Sequence, residues 1–419
     1  MRKRRVPCLA RLDSRVTVPG SKSHTARALI IGALASGQTV LKDPLLAEDT
    51  EYMIRGLKAL GVRMTTTSRG VVIQGTGGRL SPPAKPIFLG GAGTAVRFLT
   101  TLSGLCGGHA VIDGSPRMRE RPIQDLLDAL KPLGIDARSI PGTGCPPVAV
   151  EGGRFRGGKT SLRGSTSSQF LSSILLAGPY AESGVEVDVD GDVVSRSYIN
   201  LTMTTMRDFG VEVTHDDYRV FRVPAGSYSG RPYTIEGDLS SASYFFAAAA
   251  ITGGRIRVDG INPATEQGDK GLLDVLEAMG CRVRWEGRFV EVTGGSLSGI
   301  DVEMKTMPDA VPTIAVVAAF AKGTTRISGV GHLRFKETDR LAVLERELDK
   351  LGIEAKAEGD SLAVRGGNPR GAEIDPSMDH RMAMAFAVAG LRTPGIVIRN
   401  ADCVSKSFPG FWRLLEGLG

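Results

Sequence analysis

The chain is sparing with several residue types, and each scarcity narrows what it can be. Aromatic residues make up only 5 % of its 419 positions, too few for the stacking platforms that hold single-stranded nucleic acid. Its five cysteines (Cys8, Cys106, Cys145, Cys281 and Cys403) stand far apart without CxxC spacing, and its five histidines form no cluster. That argues against a metal site or a disulfide framework and suits a reducing compartment. No uninterrupted apolar run reaches the length of a membrane span. The basic opening Arg2-Lys3-Arg4-Arg5 is not followed by an apolar stretch, so it does not read as a signal peptide. These features predict a soluble cytoplasmic protein without a metal site.

Glycine, by contrast, is abundant at 54 residues, and its placement is periodic. Six amphipathic segments end at a glycine: Ile54–Leu60, Leu126–Leu133, Met203–Phe209, Leu272–Met279, Leu344–Leu351 and Trp412–Leu418. Gly61, Gly134, Gly210, Gly280, Gly352 and Gly419 follow them at intervals of 73, 76, 70, 72 and 67 residues. A glycine there is the usual left-handed stop after a helix. A near-constant spacing signals an internal repeat. Each of the six units also holds an almost wholly apolar segment: 28–35, 95–105, 170–177, 242–251, 311–321 and 382–391. A helix apolar all round must be buried. Alternating stretches such as Val185, Val187 and Val189 supply strands between the helices. Two domains of three units each would satisfy the burial and the length.

What precedes each buried helix points to chemistry. The leaders are Lys22-Ser23…Arg27, Gly91-Ala92-Gly93-Thr94…Arg97, Ser165-Thr166-Ser167-Ser168-Gln169, Asp238…Ser240-Ser241, Asp309 and Asp379-His380-Arg381. Serine and aspartate there are ordinary caps. Lysine and arginine are not, because the positive end of the helix dipole repels them. Cations set against that dipole imply an anion between them. With a net charge of +7, the pattern predicts a site for a polyanionic small molecule.

Three further motifs carry charge. Gly91-Ala92-Gly93-Thr94-Ala95-Val96, with Asp113 lying 22 residues after Gly91, nearly matches a dinucleotide fingerprint. It ends in valine, however, and lies outside a plain βαβ start. Pro116-Arg117-Met118-Arg119-Glu120-Arg121-Pro122 offers three guanidinium forks suited to carboxylate and phosphate. Lys336-Glu337-Thr338-Asp339-Arg340 opens a helix over 341–351, on which Lys336 and Arg340 would share a face around Glu337. Inside an anion cleft, Glu337 and Asp309 become candidate proton carriers.

Together these stretches, with Gly164–Phe170, Gly237–Ala250 and Lys406–Pro409, closely resemble the 5-enolpyruvylshikimate-3-phosphate synthase family. The motifs PGSKS…R, RMRERP, SSQF, KETDR and DHRMAM carry the resemblance, and it covers all six units. It implies an inside-out α/β barrel of two domains, each of three βαβαββ repeats, with buried helix starts facing an inter-domain cleft. The domains would be 1–20 with 236–419, and 21–235. It also implies transfer of the enolpyruvyl group of phosphoenolpyruvate to the 5-hydroxyl of shikimate 3-phosphate, without a cofactor, by a cytoplasmic monomer.

Carried over residue by residue, the resemblance assigns shikimate 3-phosphate to Lys22, Ser23, Arg27, Ser167, Ser168, Gln169, Ser195, Tyr198, Asp309, His332 and Lys336. Phosphoenolpyruvate falls to Lys22, Gly93, Arg121, Gln169, Arg340, Arg381 and Lys406. In catalysis Glu337 would donate a proton to carbon, Asp309 would accept one from the hydroxyl, and Lys22 would stabilise the leaving phosphate. The chain departs from many relatives at Gly91, Phe98, Arg196 and His332. Phe98 is expected to shift the Gly93-Thr94 turn rather than touch substrate. Gly93 leaves room for glyphosate, so a sensitive enzyme is expected.

Two rivals are weaker. The sister enzyme acting on UDP-N-acetylglucosamine carries a loop cysteine where this chain has Pro116. A basic repeat protein binding nucleic acid would have no use for Asp309 and Glu337 among its cations, where they repel phosphate.

Overall fold

The five internal stop glycines all take left-handed backbone, with φ of 90° at Gly61, 92° at Gly134, 94° at Gly210, 112° at Gly280 and 75° at Gly352. A residue with a Cβ is strained there, which is why the chemistry of the stop recurs with the repeat. They close the helices Glu48–Ala59, Gln124–Leu130, Arg196–Asp208, Gly271–Ala278 and Arg340–Lys350. The sixth helix, Phe411–Glu416, ends differently, on Gly417 at φ −83°.

The computed structural model describes residues 2–67, 70–164 and 167–419; Ser165 and Thr166 of the third leader lie outside them. The chain forms two compact units, Met1–Ser21 with Glu236–Gly419, and Lys22–Ile235. Each has its own apolar core, built on three almost wholly buried helices. These are Lys22–Leu34, Gly93–Ser103 and Ser168–Ala177 in one unit, and Leu239–Thr252, Val311–Ala318 and His380–Gly390 in the other. Every side chain from Leu239 to Ile251 is buried, as the apolar pattern requires.

Six small sheets surround these helices in a mixed α/β fold. Ile87–Phe88 runs parallel to His109–Asp113 across a buried helix, and the amphipathic helix then leads into the hairpin Asp136–Ser139 and Val148–Glu151. The same order recurs in the sheets that begin at Gly158–Arg163 and at Asp301–Glu303. In Val185–Asp190 the valines face inward while the acids face out, which explains the period of two.

Two leading strands are exchanged. Asp13–Thr17 feeds the helix Lys22–Leu34, yet it pairs in parallel with Arg255–Asp259. Its place beside Gln38–Lys42 is taken by Pro232–Thr234, which feeds the helix Leu239–Thr252. The chain changes unit between strand and helix, so each strand stays behind in the unit it leaves. At the crossing the Ser21 amide donates to the Glu236 carbonyl at 2.8 Å, and Gly20 bridges Gly237. The sixth sheet has three strands, with Arg4–Arg5 antiparallel to Val397–Ile398, which is parallel to Glu373–Ile374.

Candidate active site

Three of the leaders act as caps. Ser167 accepts from the Gln169 amide, Asp238 from the Ser241 amide and Asp379 from the Arg381 amide, satisfying N–H groups that would otherwise be buried without partners. Asp309 does not cap. The helix Val311–Ala318 starts at Ala310 without a side-chain cap, and the Asp309 carboxylate turns to two arginines.

Those arginines organise the site in the unit that ends at Gly419. Arg340, 1 % exposed, sends Nε to Asp379 Oδ2 (2.8 Å), Nη1 to Asp309 Oδ1 (3.1 Å) and Nη2 to Glu337 Oε2 (3.0 Å). Arg381 Nη2 donates to the other Asp309 oxygen at 2.7 Å. One guanidinium therefore holds both candidate proton carriers in a single plane, and a second fixes the rotation of Asp309. Burial opposes the charge on Arg340, but Asp379, Glu337 and Asp309 together outweigh it and raise its pKa above the ordinary arginine value. Lys406, also buried, ends the short helix Ala401–Lys406.

The expected shared helix face of Lys336 and Arg340 is not formed. The helix begins at Arg340, capped by Asp339, whose carboxylate accepts from the Ala342 amide at 3.0 Å. Lys336 lies before it in extended backbone, at φ −87° and ψ −154°. An aspartate N-cap one residue before the arginine won over the i,i+4 spacing.

His332 sits in the same region, half-buried, with an Nε2 that has no hydrogen-bond partner among the described residues. Burial, then the Lys336 charge, pushes its pKa down to about 4, against an opposing pull from Asp309. The imidazole is thus neutral in the folded protein while the unfolded chain takes up a proton near the usual 6.5. Stability from this site is complete above pH 6.5 and is lost as pH falls towards 4. His332→Asn, which cannot titrate, should shift acid unfolding to lower pH. A chemical or thermal melt series between pH 4 and 7 checks this, and identical curves would refute it.

The other unit carries the remaining expected residues. Lys22 Nζ lies 3.1 Å from Asp49 Oδ2, at the start of a neighbouring helix. Arg27, 2 % exposed, donates to Thr202 Oγ1 (2.7 Å), Ser172 Oγ (3.3 Å), and the carbonyls of Ser23 and Tyr198 (each 2.9 Å). Burial lowers its pKa to about 10. Ser195 begins the next helix in left-handed backbone at φ 57°, and Gln169 Nε2 donates to Thr94 Oγ1 at 3.3 Å. Ser168 is buried at the first position of its helix.

Of the three arginines in the 116–122 stretch, two are paired: half-buried Arg117 with Glu120, and exposed Arg119 with Asp113 in a fork. Asp113 is thereby occupied, which ends the dinucleotide reading of the Gly91–Asp113 spacing. Arg121 is the buried one, at 7 %. A Cβ on Gly93 would lie 2.8 Å from Arg121 Nη1, so the absence of a side chain at 93 is a condition of this packing. Phe98 is fully buried, and its ring centroid lies 5.6 Å from the Arg27 guanidinium carbon. Arg196 stacks its guanidinium over the Tyr218 ring at 4.7 Å.

Sequence reasoning passed over Asp49 as the partner of Lys22 and Asp379 as the chief partner of Arg340. It also missed Asp269, which accepts from the Ser240 hydroxyl. Burial, then the Asp309 charge, pushes Asp269 up to about 7. Its only signal was its place in Gln267-Gly268-Asp269, a turn that a composition reading leaves as a loop. Among the described residues no helix is long and apolar enough to cross a membrane.

Comparison with known proteins converges on one family. The family model of EPSP synthase (3-phosphoshikimate 1-carboxyvinyltransferase) matches residues 8–415. A 3-phosphoshikimate 1-carboxyvinyltransferase from Methanoculleus marisnigri is 46 % identical over 413 residues, covering 97 % of each chain. One from Trichormus variabilis is 43 % identical, covering 99 % of each. The EPSP synthase of Acinetobacter baumannii superposes with a TM-score of 0.83 at 29 % identity, covering 100 % of this chain and 98 % of its own. The enolpyruvyl transferase NikO from Streptomyces tendae shares the fold alone, with a TM-score of 0.78 at 18 % identity, covering 99 % and 96 %. On these matches and on the motifs behind them, the chain belongs to the EPSP synthase family.

Proposed function

We infer that this protein transfers the enolpyruvyl group of phosphoenolpyruvate to the 5-hydroxyl of shikimate 3-phosphate and releases phosphate, a step of aromatic amino acid biosynthesis. The observation that carries the reading is the Arg340 fork, which holds Asp309 and Glu337 on one guanidinium. An addition–elimination needs two proton carriers, and here they are held in fixed relation to each other.

In the addition, the hydroxyl oxygen bonds to C2 of phosphoenolpyruvate. Asp309 takes the hydroxyl proton and Glu337 delivers a proton to the methylene carbon. In the elimination a methyl proton returns to a carboxylate, the C2–O bond to phosphorus breaks, and phosphate leaves with its charge stabilised by Lys22. Arg340, Arg381, Lys406 and Arg121, with Gly93 and Gln169, take phosphoenolpyruvate, since guanidinium forks match carboxylate and phosphate. Shikimate 3-phosphate is taken by Ser23, Arg27, Ser167, Ser168, Gln169, Ser195, Tyr198, His332 and Lys336, with Lys22 and Asp309. Hydroxyls and cations there suit a phosphate and a ring of hydroxyls.

The test is phosphate release from phosphoenolpyruvate with shikimate 3-phosphate as acceptor, and with UDP-N-acetylglucosamine in parallel. Release with the shikimate acceptor alone is expected; release with neither, from folded protein, overturns the reading. On the same reading the protein is a cytoplasmic monomer inhibited by glyphosate. Gly93→Ala forces its methyl against Arg121, so KM for phosphoenolpyruvate should rise about 5–160-fold, the equivalent of the ~1–3 kcal/mol that overpacking costs. Glyphosate inhibition should weaken at least as much. Unchanged constants in a folded variant would show that Arg121 simply moves aside.

A further inference from the structure

The turn that delivers Asp379 is held in a backbone conformation that its own residues disfavour. Ser377 and Met378 stand consecutively in left-handed backbone, with φ of 50° and 61°, and neither is glycine. Such residues persist only where the surroundings over-determine them. Met378 is 64 % exposed and contributes no packing that would do so. Immediately after it comes Asp379, fully buried, with one oxygen on Arg340 and the other on the Arg381 amide.

The constraint comes from two residues of the helix Arg340–Lys350. Glu347, 0 % exposed, accepts from the Asp375 amide at 2.9 Å. The same carboxylate accepts from Lys350 Nζ at 2.7 and 2.9 Å and from Arg346 Nε at 2.6 Å. Arg346 Nη2 then donates to the Asp375 carbonyl and to Ser377 Oγ, each at 3.0 Å. The Ser377 amide closes back on Asp375 Oδ1 at 2.9 Å. Glu347 lies seven residues after Arg340, two turns along the same helix face. One helix therefore grips the segment twice, at Asp375 through Glu347 and at Asp379 through Arg340.

We propose that Glu347 is a positioning residue for phosphoenolpyruvate binding, acting through Asp375 and the Ser377–Met378 turn to set Asp379, Arg340 and Arg381. This rests on the reading that Arg340 and Arg381 take phosphoenolpyruvate. Glu347→Gln keeps the volume but presents an amide N–H₂ to the Lys350 ammonium and the Arg346 fork, so the carboxylate's hub is lost. Released from it, the turn relaxes towards right-handed backbone and carries Asp379 off Arg340.

The experiment compares wild type, Glu347→Gln and Arg346→Lys by steady-state kinetics with both substrates, alongside amide hydrogen exchange at Arg381 without substrate. For Glu347→Gln we expect KM for phosphoenolpyruvate to rise about tenfold, corresponding to ~1.4 kcal/mol. kcat and KM for shikimate 3-phosphate should stay within about twofold, and exchange at Arg381 should quicken. Arg346→Lys, which keeps the charge and loses the fork, should shift the same KM by about threefold. A folded Glu347→Gln with unchanged KM and exchange, or one that loses kcat alone, overturns the proposal. If that variant does not fold, an unchanged KM in Arg346→Lys overturns it. Inactive wild type with faster exchange in Glu347→Gln would instead refute the functional reading and leave the positioning intact.

Discussion

Arg340→Met is expected to cost about 3–5 kcal/mol of stability in the unit that contains it, the usual result of removing one partner from a buried charge pair. Arg340 is 1 % exposed and Asp379 is 0 % exposed. With the guanidinium gone, Asp379 keeps the Arg381 amide at 2.9 Å and the His380 Nδ1 at 3.6 Å, while Asp309 and Glu337 each lose a fork contact. Methionine replaces the arginine's apolar stem but not its guanidinium head, so a cavity term adds to the electrostatic loss. Urea unfolding followed by circular dichroism measures it. Asp379→Asn should recover part of the stability when added to Arg340→Met, because it removes the buried charge left behind. Turnover of phosphoenolpyruvate should fall by about 10²–10³-fold at saturation, the scale of one lost preorganised donor. A loss below ~1 kcal/mol would mean that the three carboxylates rearrange or take up protons at little cost.

The repeat was readable because its signals are local. A helix stop that needs positive φ selects glycine wherever it occurs, and a fully buried helix has no polar face to interrupt it. Gly61 to Gly352 and the run Leu239–Thr252 therefore announce themselves within a few residues. The caps at Ser167, Asp238 and Asp379 are legible for the same reason. What was not legible depends on pairing across the chain. No local signal near Asp13–Thr17 says that it pairs with Arg255–Asp259 and not with the strand that follows its own helix; only the resemblance grouped 1–20 with 236–419. Arg4–Arg5 reads as a basic tail until Val397–Ile398 supplies hydrogen bonds from the far end of the sequence.

The site divides in the same way. The candidate residues were chosen by type and by resemblance, but the side chains they pair with were not. Asp49 is an ordinary acid in the first turn of an amphipathic helix, and only the fold sets it against Lys22. Phe98 was expected to act on the turn before it. The structure adds a buried ring beside Arg27, two helices meeting in a contact that spacing cannot reveal. Lys336 shows the opposite failure, where a plausible i,i+4 rule was applied one turn too early because Asp339 had not been weighed as the cap.

Glu337→Gln isolates the proton chemistry from the geometry. The side chain places its Oε2 on Arg340 Nη2 at 3.0 Å, and an amide oxygen can still accept there. Stability should therefore change by less than ~1 kcal/mol. kcat should fall by about 10²–10⁴-fold, the range for a lost general acid–base group, and the limb of the pH–rate profile that Glu337 supplies should disappear. Incorporation of solvent deuterium into the product methylene should slow in step, since that exchange requires protonation of carbon and return of a proton. Asp309→Asn is a poorer probe, because Asp309 also ties Arg340 to Arg381 and its loss disturbs both. If folded Glu337→Gln keeps its kcat and its pH profile, the carbon proton comes from elsewhere. Lys22 is then the next donor to substitute, and Glu337 is left with the task of holding one arm of Arg340 in place.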